Sequence, residues 1–267
     1  MNKSAQKYYD ENKNIWGLSQ NYKGIELYPI KIVDTKYQQL FYELMTHPKN
    51  YIADKQVIKM SYLKFLTYVI AENANIENIE EKITDFLKYI TKNNDITFSA
   101  EGSKIINSYS DFSMKCKIGD IIFTERDLDN IREIVLEQNG LSIEYVESYQ
   151  SKLEEQLIYF NKVNSDMTIE DEITIFCALA GLKINEIDDY TVYQFQKHFA
   201  RLLLLEDYRL YKPLLISGQI EIKSGDGIKN YSSHIKKSRR YDGILIPAGE
   251  FFDKNKEIFN KTSNSSK

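Results

Sequence analysis

The sequence has few cysteines: Cys116 and Cys177 are the only two among 267 residues, and no CxxC spacing is present. Such a pair gives neither a disulfide framework nor a zinc signature. We therefore expect a protein that folds around an apolar core in a reducing compartment, with no metal and no cofactor. Hydrophobic residues make up 42% of the chain, which is sufficient for such a core.

The sequence also has no excess of positive charge and no long apolar run. The formal net charge of −4 argues against a surface coated for nucleic acid, so only a local basic patch could bind it. The longest apolar run, "ARLLLL", is too short to span a bilayer, and the polar N-terminus carries no apolar signal segment. We expect a cytoplasmic protein without a membrane partner.

Complete catalytic signatures are absent as well. His198 lies beside an apolar stripe without a partner carboxylate or a second metal ligand, which favours packing over catalysis. Cys177 is surrounded by apolar residues and is predicted to be inert. Cys116 lies between Lys115 and Lys117, which are expected to lower its pKa, but no histidine neighbours it in sequence. The chain is therefore predicted not to be an enzyme.

What is present is a pattern of helices with a few strands. Helical spacing is predicted from Asp34, from Asp54 through one long apolar helix, and again from Ile79. Between residues 93 and 123 the period changes to that of short strands. Capping residues and periodicity predict further helices that begin at Thr124, Tyr145, Thr168 and Thr191. This order predicts an α+β fold that is mainly helical, with a small antiparallel sheet.

The domain boundaries follow changes in composition. Residues 1–22 are polar and are predicted to form an N-terminal arm, either mobile or docked through Trp16. Residues 23–92 form a strand plus a helical region. Residues 93–258 form an α+β region packed on the first, so that both make one continuous globular unit. Residues 259–267 are of low complexity and are predicted to be a disordered tail.

One strand is predicted near the start of the second region, in "GIELYPIKIV". Its residues alternate, so that Leu27 faces one side while Ile30 and Ile32 face the other. Pro29 restricts this strand to a sheet edge or a bulge.

The most strongly patterned stretch is "YTVYQFQKHFARLLLLEDYRLY", a predicted helix with a capping box at its start. Its apolar residues recur at steps of three and four, and this row is predicted to be core: Val192, Phe195, Phe199, Leu202 and Leu203.

A basic segment is the main anomaly of this acidic chain. From Lys229 to Arg240 it holds five Lys or Arg residues and no acid. A solvated basic surface is one interpretation. The other is a docking surface for an acidic protein segment or a phosphate backbone, with tyrosines available for packing or stacking. The candidate partner-binding residues are Lys229, Tyr231, His234, Lys236, Lys237, Arg239, Arg240 and Tyr241.

Several segments together resemble proteins encoded in the tail modules of phages that infect low-GC Gram-positive bacteria. They are "YKGIELYPIKIVD", "MSYLKFLTYVI", "AGLKINEIDDYTVYQFQKHFARL" and "GIKNYSSHIKK", and the resemblance covers Tyr22 to Asp242. Those proteins are similar to tail or baseplate assembly factors, including tail assembly chaperones, and are not enzymes. The many Tyr, Ile, Lys and Asn residues agree with an AT-rich genome.

The resemblance implies a non-enzymatic protein that binds other tail or baseplate proteins, in the host cytoplasm or on the virion. The alternative is a nucleic-acid-binding accessory protein that uses residues 229–240. An enzyme whose site assembles only in space is a third hypothesis.

Overall fold

A computed structural model describes residues 1–49, 54–70, 77–102, 112–143, 168–218 and 231–232. These residues belong to one structural unit, whereas a second unit, Gln150–Asp166 with Ser238–Lys267, lies outside them. The predicted fold class is confirmed, because helices dominate and the strands form two small antiparallel sheets. None of the described helices combines the length and apolarity that a bilayer crossing requires.

The N-terminal segment contains two short helices, α1 (Lys3–Gln6) and α2 (Glu11–Ile15), and the first strand of a hairpin. That hairpin joins β1 (Gln20–Tyr22) to β2 (Ile25–Leu27) in antiparallel register.

This segment is docked, but the prediction that Trp16 anchors it is wrong, because Trp16 is 74% exposed. The segment is anchored by Ala5 and Tyr22, which are fully buried in the hydrophobic core, and by buried polar groups. Asn14 donates to the carbonyl of Glu137 over 3.3 Å, and Gln20 donates to Asn14 over 3.1 Å. Such polar anchors leave no trace in hydrophobic periodicity.

The middle of the chain is helical. It contains α3 (Thr35–Met45), α4 (Lys55–Lys59), the single turn α5 (Tyr62–Lys64) with a π-helical continuation (Phe65–Ile70), and α6 (Ile79–Thr91). Asp34 does not cap α3 through its side chain.

The prediction of a single long helix after Asp54 is wrong, because the chain forms two helices there. Met60 is extended, with φ −68° and ψ 160°, and Ser61 caps a new helix by accepting a hydrogen bond from the amide of Lys64. The serine hydroxyl accepts from the amide of Lys64, which in a continuous helix would donate to the carbonyl of Met60, so α4 ends although the apolar residues continue.

The predicted small sheet is confirmed. It has the order β3 (Ile96–Gly102), β4 (Phe112–Ile118), β5 (Ile121–Thr124), with both pairs antiparallel. Helix α7 (Glu125–Gln138) follows directly and begins with a capping box between Thr124 and Asp127.

The last described elements are α8 (Ile169–Ala180), a 3₁₀ turn (Ile184–Ile187) and α9 (Val192–Ile216). Capping boxes begin both helices at the predicted residues, Thr168 and Thr191. The helix predicted from Tyr145 and the tail at residues 259–267 lie outside the described residues.

Two hydrophobic cores share the strand-like segment after β2. Ile30 is fully buried in the first core, between α3, α6, α7 and the sheet, whereas Ile32 is buried in the second core with α8 and α9. The backbone of this segment also hydrogen-bonds the start of α9: Val192 donates to Ile30 over 2.9 Å, and Ile32 donates to Tyr190 over 2.8 Å. Alternate residues of one segment thus hold both cores together.

Asp127 ties the hairpin to the sheet and α7. It accepts hydrogen bonds from the hydroxyl of Tyr22 (2.8 Å), the ammonium group of Lys23 (2.6 Å) and the amide of Thr124 (3.0 Å). Burial by itself raises the pKa of Asp127, but these hydrogen bonds outweigh it and lower the pKa to about 2. Because an unfolded aspartate titrates near pH 3.9, the charged form stabilises the native state by roughly 2 kcal/mol.

This contribution is complete above about pH 5 and is lost as the pH falls through the folded-state value near 2. Asp127→Asn should therefore lower the free energy of unfolding by about 2 kcal/mol at pH 7, and its difference from wild type should shrink toward pH 3. Urea denaturation across this pH range measures both. Asp120→Asn, in an exposed turn, is the matched control. A difference for Asp127→Asn that stays constant down to pH 3 would contradict the assignment.

Candidate protein-docking surface

The described residues contain one cluster of ionisable side chains that resembles a chemical site. Asp129 accepts a hydrogen bond from the amide of Tyr62 over 2.8 Å, and burial raises the pKa of its carboxyl. Arg132 is 4% exposed and donates to the carbonyl of Met45 over 2.9 Å. Its guanidinium carbon lies 3.4 Å from the ring centroid of Tyr62.

The contacts of this cluster indicate that it stabilises the fold and does not bind a substrate. Arg132 binds a carbonyl at the C-terminal end of α3, where a cation complements the helix dipole. The cavity beside Asp129 and Arg132 has a volume of about 40 Å³ and mainly apolar walls, which is room for little more than water. Among the residues that the structure describes, no three His, Cys, Asp or Glu side chains could share a metal ion.

The prediction for Cys116 is wrong. Its side chain is fully buried in the sheet, opposite Phe98 and Phe123, and burial raises the pKa of the thiol to about 12. Lys115 and Lys117 face the other side of the strand, because side chains alternate, so their charges do not offset the loss of water. Adjacency in sequence is misleading inside a strand.

Of the two other residues considered for catalysis, Cys177 has the packing role predicted for it, whereas His198 does not lie in the core. Cys177 is buried beside Phe176, and burial raises the pKa of its thiol. His198 is exposed, and its ring lies edge-on to that of Tyr190 at 5.5 Å between centroids.

Within the part of the chain that the structure describes, α9 contributes to the two cores only along its first half. Val192, Phe195 and Phe199 are buried, and Leu202 packs against the second core. Leu203 is 43% exposed, so its assignment to the core row was wrong.

The phase of the helix explains where the core row stops. Continued at steps of three and four beyond Leu202, the row passes through Glu206, Arg209 and Pro213. Glu206 and Arg209 pair with each other at 2.7 Å, and both are solvent-accessible. The core face of α9 therefore becomes polar after Leu202, and this half of the helix is held by no described core residue.

A second apolar face begins where the first one ends. At about 100° per residue, seven apolar side chains in the second half of α9 cover an arc of roughly 160°, rotated by about 120° from the core row. We call them the outer face of α9: Leu203, Leu204, Tyr208, Leu210, Tyr211, Leu214 and Leu215.

The outer face is open in this structure. Leu210 is 60% exposed and Tyr211 is 43% exposed, and the remaining members are half-buried or exposed. Helix α8 has a similar character. Its segment from Ile173 to Ala180 contains no charged residue, yet Ile175 and Leu179 are exposed. A helix that is apolar around its circumference is normally buried.

Of the predicted partner-binding residues, the structure describes Tyr231. Its ring lies edge-on to that of Tyr208 at 5.3 Å between centroids, and its carbonyl accepts a hydrogen bond from Arg201. Tyr231 thus lies at one edge of the outer face. The other predicted residues lie outside the described residues: Lys229, His234, Lys236, Lys237, Arg239, Arg240 and Tyr241.

The outer face was missed by sequence reasoning, which treated the apolar residues of α9 as one row. The change of phase at Leu202–Leu203, together with charges on the continued core row, was the signal that could have found it.

Comparison with protein families gives a partial match. A family model, the YomV second domain, matches residues 161–236, which include α8, α9 and Tyr231. The family derives from a Bacillus phage, and the match gives this chain a phage context. No curated protein and no solved structure is significantly similar to it.

The two faces of α9 should respond differently to truncation. Phe195→Ala removes a ring that is 1% exposed, so the free energy of unfolding should fall by about 3–5 kcal/mol. Leu203→Ala on the outer face should change it by less than about 1 kcal/mol. Chemical denaturation measures both. A large loss for Leu203→Ala would show that the outer face is packed in the isolated protein.

Proposed function

We propose that this chain is a non-enzymatic phage protein that acts by binding other phage proteins during tail or baseplate assembly. The observation that carries the proposal is the outer face of α9, an apolar surface left open in the segment that matches a phage-derived domain. Contiguous exposed apolar surface is typical of protein–protein interaction sites.

The chemistry of the surface favours a protein partner over a nucleic acid. Phosphate backbones are bound by several free cations, whereas this face consists of leucine and tyrosine side chains with one acid, Asp207, among them. The nearby cations of α9 make contacts within the chain: Arg209 pairs with Glu206, Arg201 donates to Tyr231, and Lys212 lies over the ring of Tyr208. A mainly apolar surface bordered by charged side chains is the usual anatomy of a protein interface.

The basic segment from Lys229 to Arg240 extends this proposal. Tyr231 is part of it and contacts the edge of the outer face. We propose that the cations of this segment bind acidic residues of the same partner, since complementary charges raise the rate and specificity of docking.

Substitutions on the outer face test the proposal. Leu210→Glu places a charge at the most exposed leucine of the outer face and should release the phage proteins that co-purify with the tagged chain from infected cells. Ile122→Glu, at a 63% exposed position on β5, is the matched control and should retain them. If Leu210→Glu retains every partner that the control retains, the outer face is not the docking surface.

The rival function needs its own test. Reversal of Lys236, Lys237, Arg239 and Arg240 to Glu should weaken partner capture, and wild-type protein should bind duplex DNA or RNA only weakly at physiological salt. A nucleic-acid protein would instead bind tightly, with about 0.9 log units of affinity lost per phosphate contact for each tenfold rise in salt. Tight binding that the reversed variant loses would overturn the assembly proposal.

A further inference from the structure

Part of the outer face has the spacing of a coiled coil. Leu204, Tyr208, Tyr211 and Leu215 follow one another at steps of four, three and four residues, which is the a/d pattern of a heptad repeat. No member of this stripe belongs to a described core. The stripe covers only the side of the outer face next to Lys212, so Leu203, Leu210 and Leu214 remain beside it.

The charges around this stripe complement a copy of the same helix. With Tyr208 and Tyr211 at the a and d positions, Asp207 lies at the preceding g position and Lys212 at the following e position. Five residues apart, these two side chains lie about 140° from each other on one helix and cannot pair across the stripe. In two parallel helices in register, however, each g residue faces the e residue five positions later in the other helix.

The remaining charges agree with this arrangement. Glu206 and Arg209 lie on the outward side and already pair with each other at 2.7 Å. Asp207 makes no ion pair with any described residue. Lys212 contacts Tyr208, with its ammonium nitrogen 4.5 Å from the ring centroid, which keeps it at the edge of the stripe. Asp207 is thus the acid that the stripe leaves open to a second helix.

The position of Pro213 also agrees with a second helix packed against the stripe. It occupies the outward f position of the repeat, where its missing N–H group faces away from the stripe. A proline there favours a helix that bends around whatever covers the opposite side.

We infer that the outer half of α9 binds the same half-helix of a second copy of this chain, as a parallel two-stranded coil. The coil joins the stripes of Leu204, Tyr208, Tyr211 and Leu215, with Asp207 of each copy paired to Lys212 of the other. It is two heptads long, so the dimer depends on concentration. This inference goes beyond the proposed function and does not depend on it, because it assigns the stripe to a second copy and leaves Leu203, Leu210 and Leu214 of the outer face to other proteins.

Charge exchange at the two flanking positions tests the pairing. Sedimentation velocity of the full chain over a range of concentrations should show a monomer–dimer equilibrium. Asp207→Lys and Lys212→Asp should each raise the dissociation constant by about tenfold, because both ion pairs become repulsive. An equimolar mixture of the two variants should associate as the wild type does, since opposite charges then face each other in both pairs. The double variant should likewise recover.

Glu206→Lys, with the same charge change on the outward side, is the matched control and should leave the dimer unchanged. The helix content of each variant is checked by circular dichroism, and recovery in the mixture shows that both variants fold. Wild-type protein that stays monomeric throughout would overturn the inference. So would single variants that associate as tightly as the wild type and a mixture that associates more tightly than the wild type. That is the result for an antiparallel coil, where g faces g and e faces e, because the wild type then already places like charges opposite each other.

Discussion

The fold depends on one extended segment between the hairpin and α3. Ile30 and Ile32 lie on the same side of that segment in the alternation of its sequence, yet they enter different cores. The backbone between them hydrogen-bonds the first turn of α9, and Lys31 forms an isolated bridge with Thr191. Without this segment, α8 and α9 would keep a core of only a few aromatic and aliphatic side chains.

The small second core explains why apolar surface remains open. Phe176, Phe195 and Phe199 pack against one another and against Ile32, and this group occupies one side of α8 and the first half of α9. Helix α8 can cover only part of α9, since α8 has 12 residues and α9 has 25. The second half of α9 therefore extends past its own core with an apolar face of a different phase.

Sequence reasoning succeeded where the cause was local. The capping boxes at Thr124, Thr168 and Thr191 use side chains three residues apart, and the sequence alone shows that spacing. It failed where the cause was tertiary. Cys116 lies between two lysines but is buried by strands that come from elsewhere in the chain.

The candidate docking surface could be predicted from the sequence only in part. The basic segment and Tyr231 stood out by charge and composition, and the structure places Tyr231 against α9. The outer face did not stand out, because Leu202 and Leu203 are adjacent, equally apolar and assigned to one row. The two residues differ only in their tertiary contacts: Leu202 packs on the second core, whereas Leu203 is exposed.

The central claim is that another protein covers the outer face of α9 during phage production. A photo-crosslinking amino acid placed at position 210 in infected cells tests it most directly, with the same group at the exposed position 122 as the reference. The account predicts adducts with identifiable phage-encoded proteins from position 210 and few from position 122. Equal yields from the two positions, or adducts from neither, would contradict it.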